Sequence, residues 1–239
     1  MIGDIRSALL LIIDVQNDFC PACVSLSGEK YPAGALAVNR GDEVIGPLNR
    51  LAAAFAGAGG PVAATQDWHP GGHVSFASAH PGKKPGDLID LPPDRAAETP
   101  RIQGQVLWPD HCVQGSRGAA FHERLDRKPL NLILRKGFRP GLDSYSAFFE
   151  NDRRTPTGLE GWLRGLGIGT VVMGGLATDY CVLYSALDAR RLGFTVIVLE
   201  DAVRGVGYPE GSVEKALDDM KKQGIRLCGS EKFLKEAGL

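Results

Sequence analysis

The sequence predicts a three-layer α/β/α fold around a doubly wound, mainly parallel sheet of about six strands. Two observations carry this. β-Rich apolar runs alternate with segments of helical spacing along most of the chain, and four of those runs end just before acidic, basic or sulfur-bearing side chains. If the runs are parallel strands of one sheet, these groups emerge on the same edge, where open α/β folds place their ligand crevice. Length and composition agree with one domain over 1–239, since 239 residues, 44% hydrophobic and 23% charged, can bury a substantial core.

The first run, ALLLIID, ends at Asp14. The next segment, from Asp42 to Gly59, has Val44, Leu48, Leu51, Ala52 and Phe55 at helical spacing. Asp42 is placed to cap it and Gly59-Gly60 to stop it, so it reads as a crossover helix. PVAATQDWH is the second strand, reaching Asp67 and His69, and PLNLILRK is the third, ending at Lys136. A helix over Leu159 to Leu166 precedes TVVMGGLATDYC, which leads to Cys181. A helix over Asp179 to Leu192 separates that strand from FTVIVLED, and one over Pro209 to Gln223 precedes a short last strand at Ile225 to Cys228. Two stretches break the rhythm, Cys20 to Arg40 and the long connection from Trp68 to Lys128, which holds two tryptophans and several histidines. Long connections in compact domains are functional or disordered, and the aromatic and histidine content favours function.

A formal net charge of −1 predicts no pull toward nucleic acid or an anionic membrane. No apolar run approaches the roughly 20 residues that span a bilayer, and MIGDIRSALLLIID has an acid ahead of its apolar stretch, unlike a signal peptide. The expected location is cytoplasmic. The expected partner is a small-molecule substrate, and a homo-oligomer is compatible with the composition. Five cysteines, sparse and odd in number, read as free thiols rather than a disulfide framework.

In GGLATDYCV, Thr178 can cap a helix whose third position is Cys181, where backbone N–H groups and the helix dipole favour a thiolate. An isolated cysteine is more often a small core residue. Its company changes the reading: Asp14 can accept the thiol proton, and Lys136 can hold that carboxylate and stabilise charged intermediates. Asp14 alone could be a strand-end cap and Lys136 a solvated strand end, but together the three supply nucleophile, base and electrostatic partner. Asp67 and His69, as D-x-H on an extended segment, with His111 in WPDHC, form a three-ligand metal set with open positions. His73 and Asp110 are further candidates for a fourth ligand.

The blocks DVQNDF, DWHPGGHVSF, WPDHCVQGS, RKGFRPGLDSYSAF and GLATDYCV, in order from about Leu9 to about Val203, resemble those of nicotinamidase/pyrazinamidase enzymes in the isochorismatase-like cysteine hydrolase superfamily. The resemblance implies a six-stranded parallel sheet between helices and hydrolysis of nicotinamide, and of pyrazinamide, through a thioester. It places Asp14, Lys136 and Cys181 on the catalytic triad. It places Asp67, His69 and His111 on a site for one divalent transition metal, zinc first and iron or manganese as alternatives. It also implies an oxyanion hole from the amides of Ala177 and Cys181, a non-proline cis peptide leading into Ala177, a ring clamp of Phe19 and Trp108, and Tyr145 lining the same pocket. A flat heteroaromatic amide needs those elements: apolar faces for its ring, donors for its carbonyl oxygen and a nucleophile above the amide plane.

One stretch departs from the family pattern. An insertion after Cys20 carries Cys20-Pro-Ala-Cys23, whose C-x-x-C spacing could be a redox pair or half a zinc site. With the other cysteines scattered singly, an ordinary loop with free thiols is the expectation. The alternative functions are a related amidohydrolase acting on another amide or ureido substrate, and a catalytically silent binding protein on this fold. An isochorismatase has no call for the metal set, and a dinucleotide-binding oxidoreductase would want G-x-G-x-x-G where this chain has DVQND.

Overall fold

The computed structural model describes residues 4–92 and 102–239. Ten strands are present among them: β1 (Ala8–Ile13), β2 (Cys23–Val24), β3 (Lys30–Tyr31), β4 (Val62–Asp67), β5 (Leu88–Leu91), β6 (Ile102–Val106), β7 (Leu132–Lys136), β8 (Thr170–Leu176), β9 (Thr195–Arg204) and β10 (Arg226–Cys228). The α-helices are α1 (Ile45–Gly57), α2 (Leu159–Gly165), α3 (Leu183–Arg191), α4 (Ser212–Lys222) and α5 (Ser230–Ala237). Six strands form the central sheet in the order β10-β9-β8-β1-β4-β7, and every pairing in it is parallel. The order reverses at β1, the switch point at which doubly wound sheets open a crevice.

The three layers follow from the pleat of β1. Leu10 and Ile12 face one way and pack with Leu48, Leu51 and Phe55 of α1 and Phe233 of α5. Leu9, Leu11 and Ile13 face the other way, against Leu159 and Leu163 of α2, Ala186 and Ala189 of α3 and Met220 of α4. Successive strand residues alternate faces, so an unbroken apolar run must be covered on both. All six residues of β1 are buried accordingly. No helix among the described residues is long and apolar enough to cross a membrane.

Several boundaries differ from the sequence-based expectation. The crossover helix begins as a 3-10 turn over Gly41–Val44, and Asp42 does not cap it; its carboxylate instead accepts from the Arg124 guanidinium at 2.6 Å. The helix expected from Asp179 starts as a π-helical turn over Thr178–Val182 that passes into α3, with Ala177 rather than Thr178 at the cap position. The expected fourth helix begins only at Ser212, after the cis Tyr208–Pro209 bond. Helix α5 and the small β2–β3 and β5–β6 hairpins were not foreseen. The two hairpins lie inside the two irregular stretches.

Candidate active site

The C-terminal ends of β1, β4, β7 and β8 deliver the site. Asp14 follows β1 with φ 50°, a left-handed conformation that an aspartate tolerates and that turns the chain out of the sheet. Its amide donates to Thr65 Oγ1 at 3.1 Å, and the Thr65 hydroxyl donates back to Asp14 Oδ1 at 2.6 Å. Lys136, the last residue of β7, is fully buried. Its Nζ lies 2.9 Å from Asp14 Oδ2, 2.8 Å from Asp67 Oδ1, 3.0 Å from the Ser144 carbonyl and 3.4 Å from Cys181 Sγ. A buried ammonium survives only with such partners. Burial alone would discharge it, but Asp14 and Asp67 together hold Lys136 well above the usual lysine range.

Cys181 sits in the π-helical first turn beside this ammonium. The depressed thiol expected at a helix start is not what its surroundings produce: burial pushes the Cys181 thiol well up, with Lys136 opposing and the two carboxylates adding to the rise. These surroundings favour the thiol over the thiolate at rest. Asp14 is pushed above the usual carboxylate range, first by burial and then by Asp67, against the pull of Lys136. Such a carboxylate is a stronger base than an ordinary one. Its Oδ2 has the Lys136 ion pair but no well-aligned hydrogen bond, which keeps a lone pair for the thiol proton.

The second cluster shares a residue with the first. Asp67 Oδ2 lies 3.2 Å from His69 Nε2 and 3.6 Å from His111 Nε2. His69 Nδ1 bonds the Gly137 carbonyl at 2.8 Å and His111 Nδ1 bonds the Pro109 carbonyl at 2.7 Å. A carbonyl can only accept, so each ring carries a hydrogen on Nδ1 and turns Nε2 toward the Asp67 carboxylate, the atom through which each could ligate a metal once its proton is displaced. Gly137 has φ 63°, and a Cβ there would fall 2.6 Å from His69 Cε1, so only glycine brings that carbonyl to the ring. Within the long connection, a parallel bridge between His69 and Val113 sets His111 beside His69. Burial would raise Asp67, yet Lys136 and His69 hold it well below the carboxylate range; burial would lower His69, yet Asp67 lifts it to about 9. The spot favours positive charge, and the donor set of one carboxylate and two imidazoles fits a divalent transition metal.

Of the other two candidate ligands, His73 stacks on His69 with ring centroids 4.2 Å apart and forms a second possible group with His69 and Asp143. Asp110 belongs to neither group and accepts from the Ser78 hydroxyl at 2.5 Å.

Cys181 and the Asp67, His69 and His111 set line one cleft, whose walls also include Phe19, Trp108, Tyr145 and Ala177. Phe19 meets the His111 ring edge-on at 5.6 Å, and Trp108 Nε1 donates to the Tyr145 hydroxyl at 3.1 Å. The Leu176–Ala177 peptide is cis, as the resemblance implies. Leu36, Asp143, Tyr180 and Val206 also line the cleft and were not singled out from the sequence. Tyr180 and Asp143 lie inside motifs that were read, so adjacency could have flagged them. Leu36 comes from the irregular stretch after Cys20, which therefore supplies part of the wall. All five cysteines are free; burial, helped by the Asp42 charge, pushes Cys20 up to about 12, an inert thiol. Neither Cys20 nor Cys23 belongs to a metal-competent group among the described residues.

The isochorismatase domain model matches residues 8–232. The nicotinamidase of Acinetobacter baylyi is 42% identical over 229 residues, covering 96% of this chain and 95% of its own. Among solved structures, an Acinetobacter baumanii nicotinamidase/pyrazinamidase superposes with a TM-score of 0.83 at 43% identity, covering 96% of this chain and 99% of that one. A Pyrococcus horikoshii pyrazinamidase in complex with zinc superposes with a TM-score of 0.68 at 33% identity, covering 93% and 99%. The chain belongs to the isochorismatase family, among its nicotinamidase/pyrazinamidase members.

Proposed function

We propose that this protein is a metal-dependent cysteine amidohydrolase that converts nicotinamide to nicotinate and ammonia and accepts pyrazinamide. The observation that carries the reading is the position of Lys136 Nζ, within 3.4 Å of Cys181 Sγ and within 3.0 Å of both Asp14 and Asp67. It joins a nucleophile and base to a ligand set in one aromatic-walled cleft. Asp67, His69 and His111 are the residues that would hold the metal, a set of two imidazoles and one carboxylate that suits zinc and equally iron(II). When bound, the metal supplies an electrophile for the pyridine nitrogen and so fixes the ring.

The chain's own groups account for the rest. Phe19 and Trp108 take the ring between them, with Tyr145 closing the wall, so that the carboxamide meets Cys181 in a near-attack position. Asp14 removes the Sγ proton as sulfur attacks the carboxamide carbon, in keeping with a resting thiol. The Ala177 and Cys181 amides receive the oxygen as it gains charge. The C–N bond breaks, Asp14 returns the proton to the departing nitrogen, and ammonia leaves a nicotinoyl thioester on Cys181. Asp14 then takes a proton from water, whose oxygen adds to the thioester carbon; the C–S bond breaks, Asp14 gives that proton to the departing sulfur, and the acid leaves as nicotinate, its own proton lost to solvent. Lys136 remains charged throughout, holding Asp14 in place and offsetting negative charge beside the sulfur.

The test is ammonia release by purified protein supplied with nicotinamide, pyrazinamide and a ureido acid. Rapid release from nicotinamide is expected. Release from the ureido acid alone would move the assignment to a different amide substrate.

A further inference from the structure

The β1–β4 ladder ends at the pair Ile12↔Ala64, and beyond it the two strands part. Side chains take over the missing main-chain bonds. Thr65 makes its two-way contact with Asp14, and two residues further on Gln16 does the same for Asp67. Gln16 Oε1 accepts from the Asp67 N–H at 2.8 Å, while Nε2 donates to the Asp67 carbonyl at 2.8 Å and to the Ala119 carbonyl at 2.9 Å. Both Nε2 hydrogens and one Oε1 lone pair of Gln16 are thus engaged, and the residue is completely buried. A primary amide offers a donor and an acceptor side by side, the pair that a neighbouring strand would have presented. On its other side Asp67 is in register with Lys136 of β7.

We infer that Gln16 is a positioning residue for the metal centre. Asp67 has two duties, with Oδ1 on Lys136 at 2.8 Å and Oδ2 facing His69 and His111. A small rotation of its backbone would trade one duty for the other. Strand β7 alone holds only one edge of that backbone, and Gln16 clamps the other at the point where the sheet has opened. The inference rests on the metal reading above and adds that the geometry of the ligand set is fixed by a side chain that touches neither metal nor substrate.

The test is cobalt(II) binding to metal-stripped protein, followed by the visible absorption of the bound ion, for wild type and for Gln16→Met, Gln16→Asn and Gln16→Glu. Methionine keeps the length and loses both polar atoms; asparagine keeps the amide but is one methylene too short. Both should weaken cobalt binding about 10–100-fold and alter its spectrum, the range expected when a residue orienting a ligand is removed. Glutamate keeps an oxygen for the Asp67 N–H but turns its other oxygen on the Asp67 and Ala119 carbonyls, which need a donor, so it too should weaken cobalt binding. Alkylation of Cys181 by iodoacetamide should stay within about threefold in all of them, because the nucleophile is held from β8. Wild-type cobalt affinity and spectrum in the Asn and Met variants would overturn the inference; if Met does not fold, Asn decides. A wild-type protein that binds no cobalt would instead overturn the metal reading, and the inference with it.

Discussion

The two sides of β1 are built differently. Toward β8 the ladder runs through six residue pairs, from Ala8↔Thr170 to Ile13↔Gly175; toward β4 it holds only three, from Leu10↔Val62 to Ile12↔Ala64. The closed side leads directly into Ala177 and the turn bearing Cys181. The open side carries Asp14, Thr65, Gln16 and Asp67, where side chains supply the bonds that main chain supplies elsewhere. A complete ladder leaves no gap for polar side chains between strands, so a sheet that is to hold a base and a metal ligand must part there. The nucleophile sits on the continuous side, and Lys136 reaches both.

If that division is real, the largest loss comes from the closed side. Cys181→Ala should lower kcat by a factor on the order of 10⁴ or more while leaving substrate binding and thermal stability near wild type. Steady-state rates beside a melting curve check this, and a variant retaining a tenth of the activity would remove Cys181 from the mechanism. Asp14→Asn and Lys136→Ala should lose several orders of magnitude as well, and double variants should lose little more, since the groups act as a unit. Lys136→Ala alone should also destabilise the fold by about 3–5 kcal/mol, because it leaves Asp14 and Asp67 buried without their counter-ion.

Disturbing the metal set, as opposed to the triad, should blunt recognition more than chemistry. Nicotinamide should exceed benzamide, which lacks the ring nitrogen, by more than the roughly 10–200-fold that a missing methylene costs in kcat/KM. Chelation or His111→Ala should raise KM and collapse that ratio. An unchanged ratio after stripping would mean that the aromatic walls alone hold the ring.

The pH dependence separates the base from a buried acid outside the triad. Asp14 must be ionised to act and is pushed up by burial, so kcat/KM should fall as pH falls, with its midpoint above that of an ordinary carboxylate. Away from the triad, burial lifts Glu150 to about 7, only partly offset by Arg139 at 3.8 Å, and one of its oxygens has no hydrogen-bond partner. An acid that binds its proton more tightly when folded stabilises the fold below its unfolded pKa and loses that contribution as pH rises through its folded one. Glu150→Gln should therefore stabilise the fold at pH 8 by up to about 2–3 kcal/mol, read as a higher Tm, and change little at pH 4. A stabilisation independent of pH would contradict that origin. The smallest effect belongs to the insertion: Cys20→Ser with Cys23→Ser should keep wild-type metal content and a rate within about threefold.

The central strands were legible because β1, β4 and β8 are apolar or small almost throughout, and their ends carry the groups with chemistry. The metal set and triad were legible for the same reason, as D-x-H, a strand-end lysine and a cysteine after a glycine-rich turn. Other features left no such trace. Helix α5 buries little beyond Ser230 and Phe233 in eight residues, too short a stripe to establish a period. Strands β2 and β3 have two residues each, so alternation could not show. The π-helical turn at Thr178–Val182 has the residues of an ordinary helix start, and the depressed thiol expected there failed because burial outweighs Lys136. Nothing beside Gln16 in DVQND announces a bond to a residue 51 positions away.

The central claim is that Cys181 carries the acyl group during turnover. Wild-type protein mixed with nicotinamide, quenched in acid within one turnover and digested for mass spectrometry, should yield a nicotinoyl adduct on the peptide containing Cys181. The adduct should appear before nicotinate and be absent from Cys181→Ala. Ammonia released in the same interval with no adduct, or with the adduct on another residue, would contradict the account.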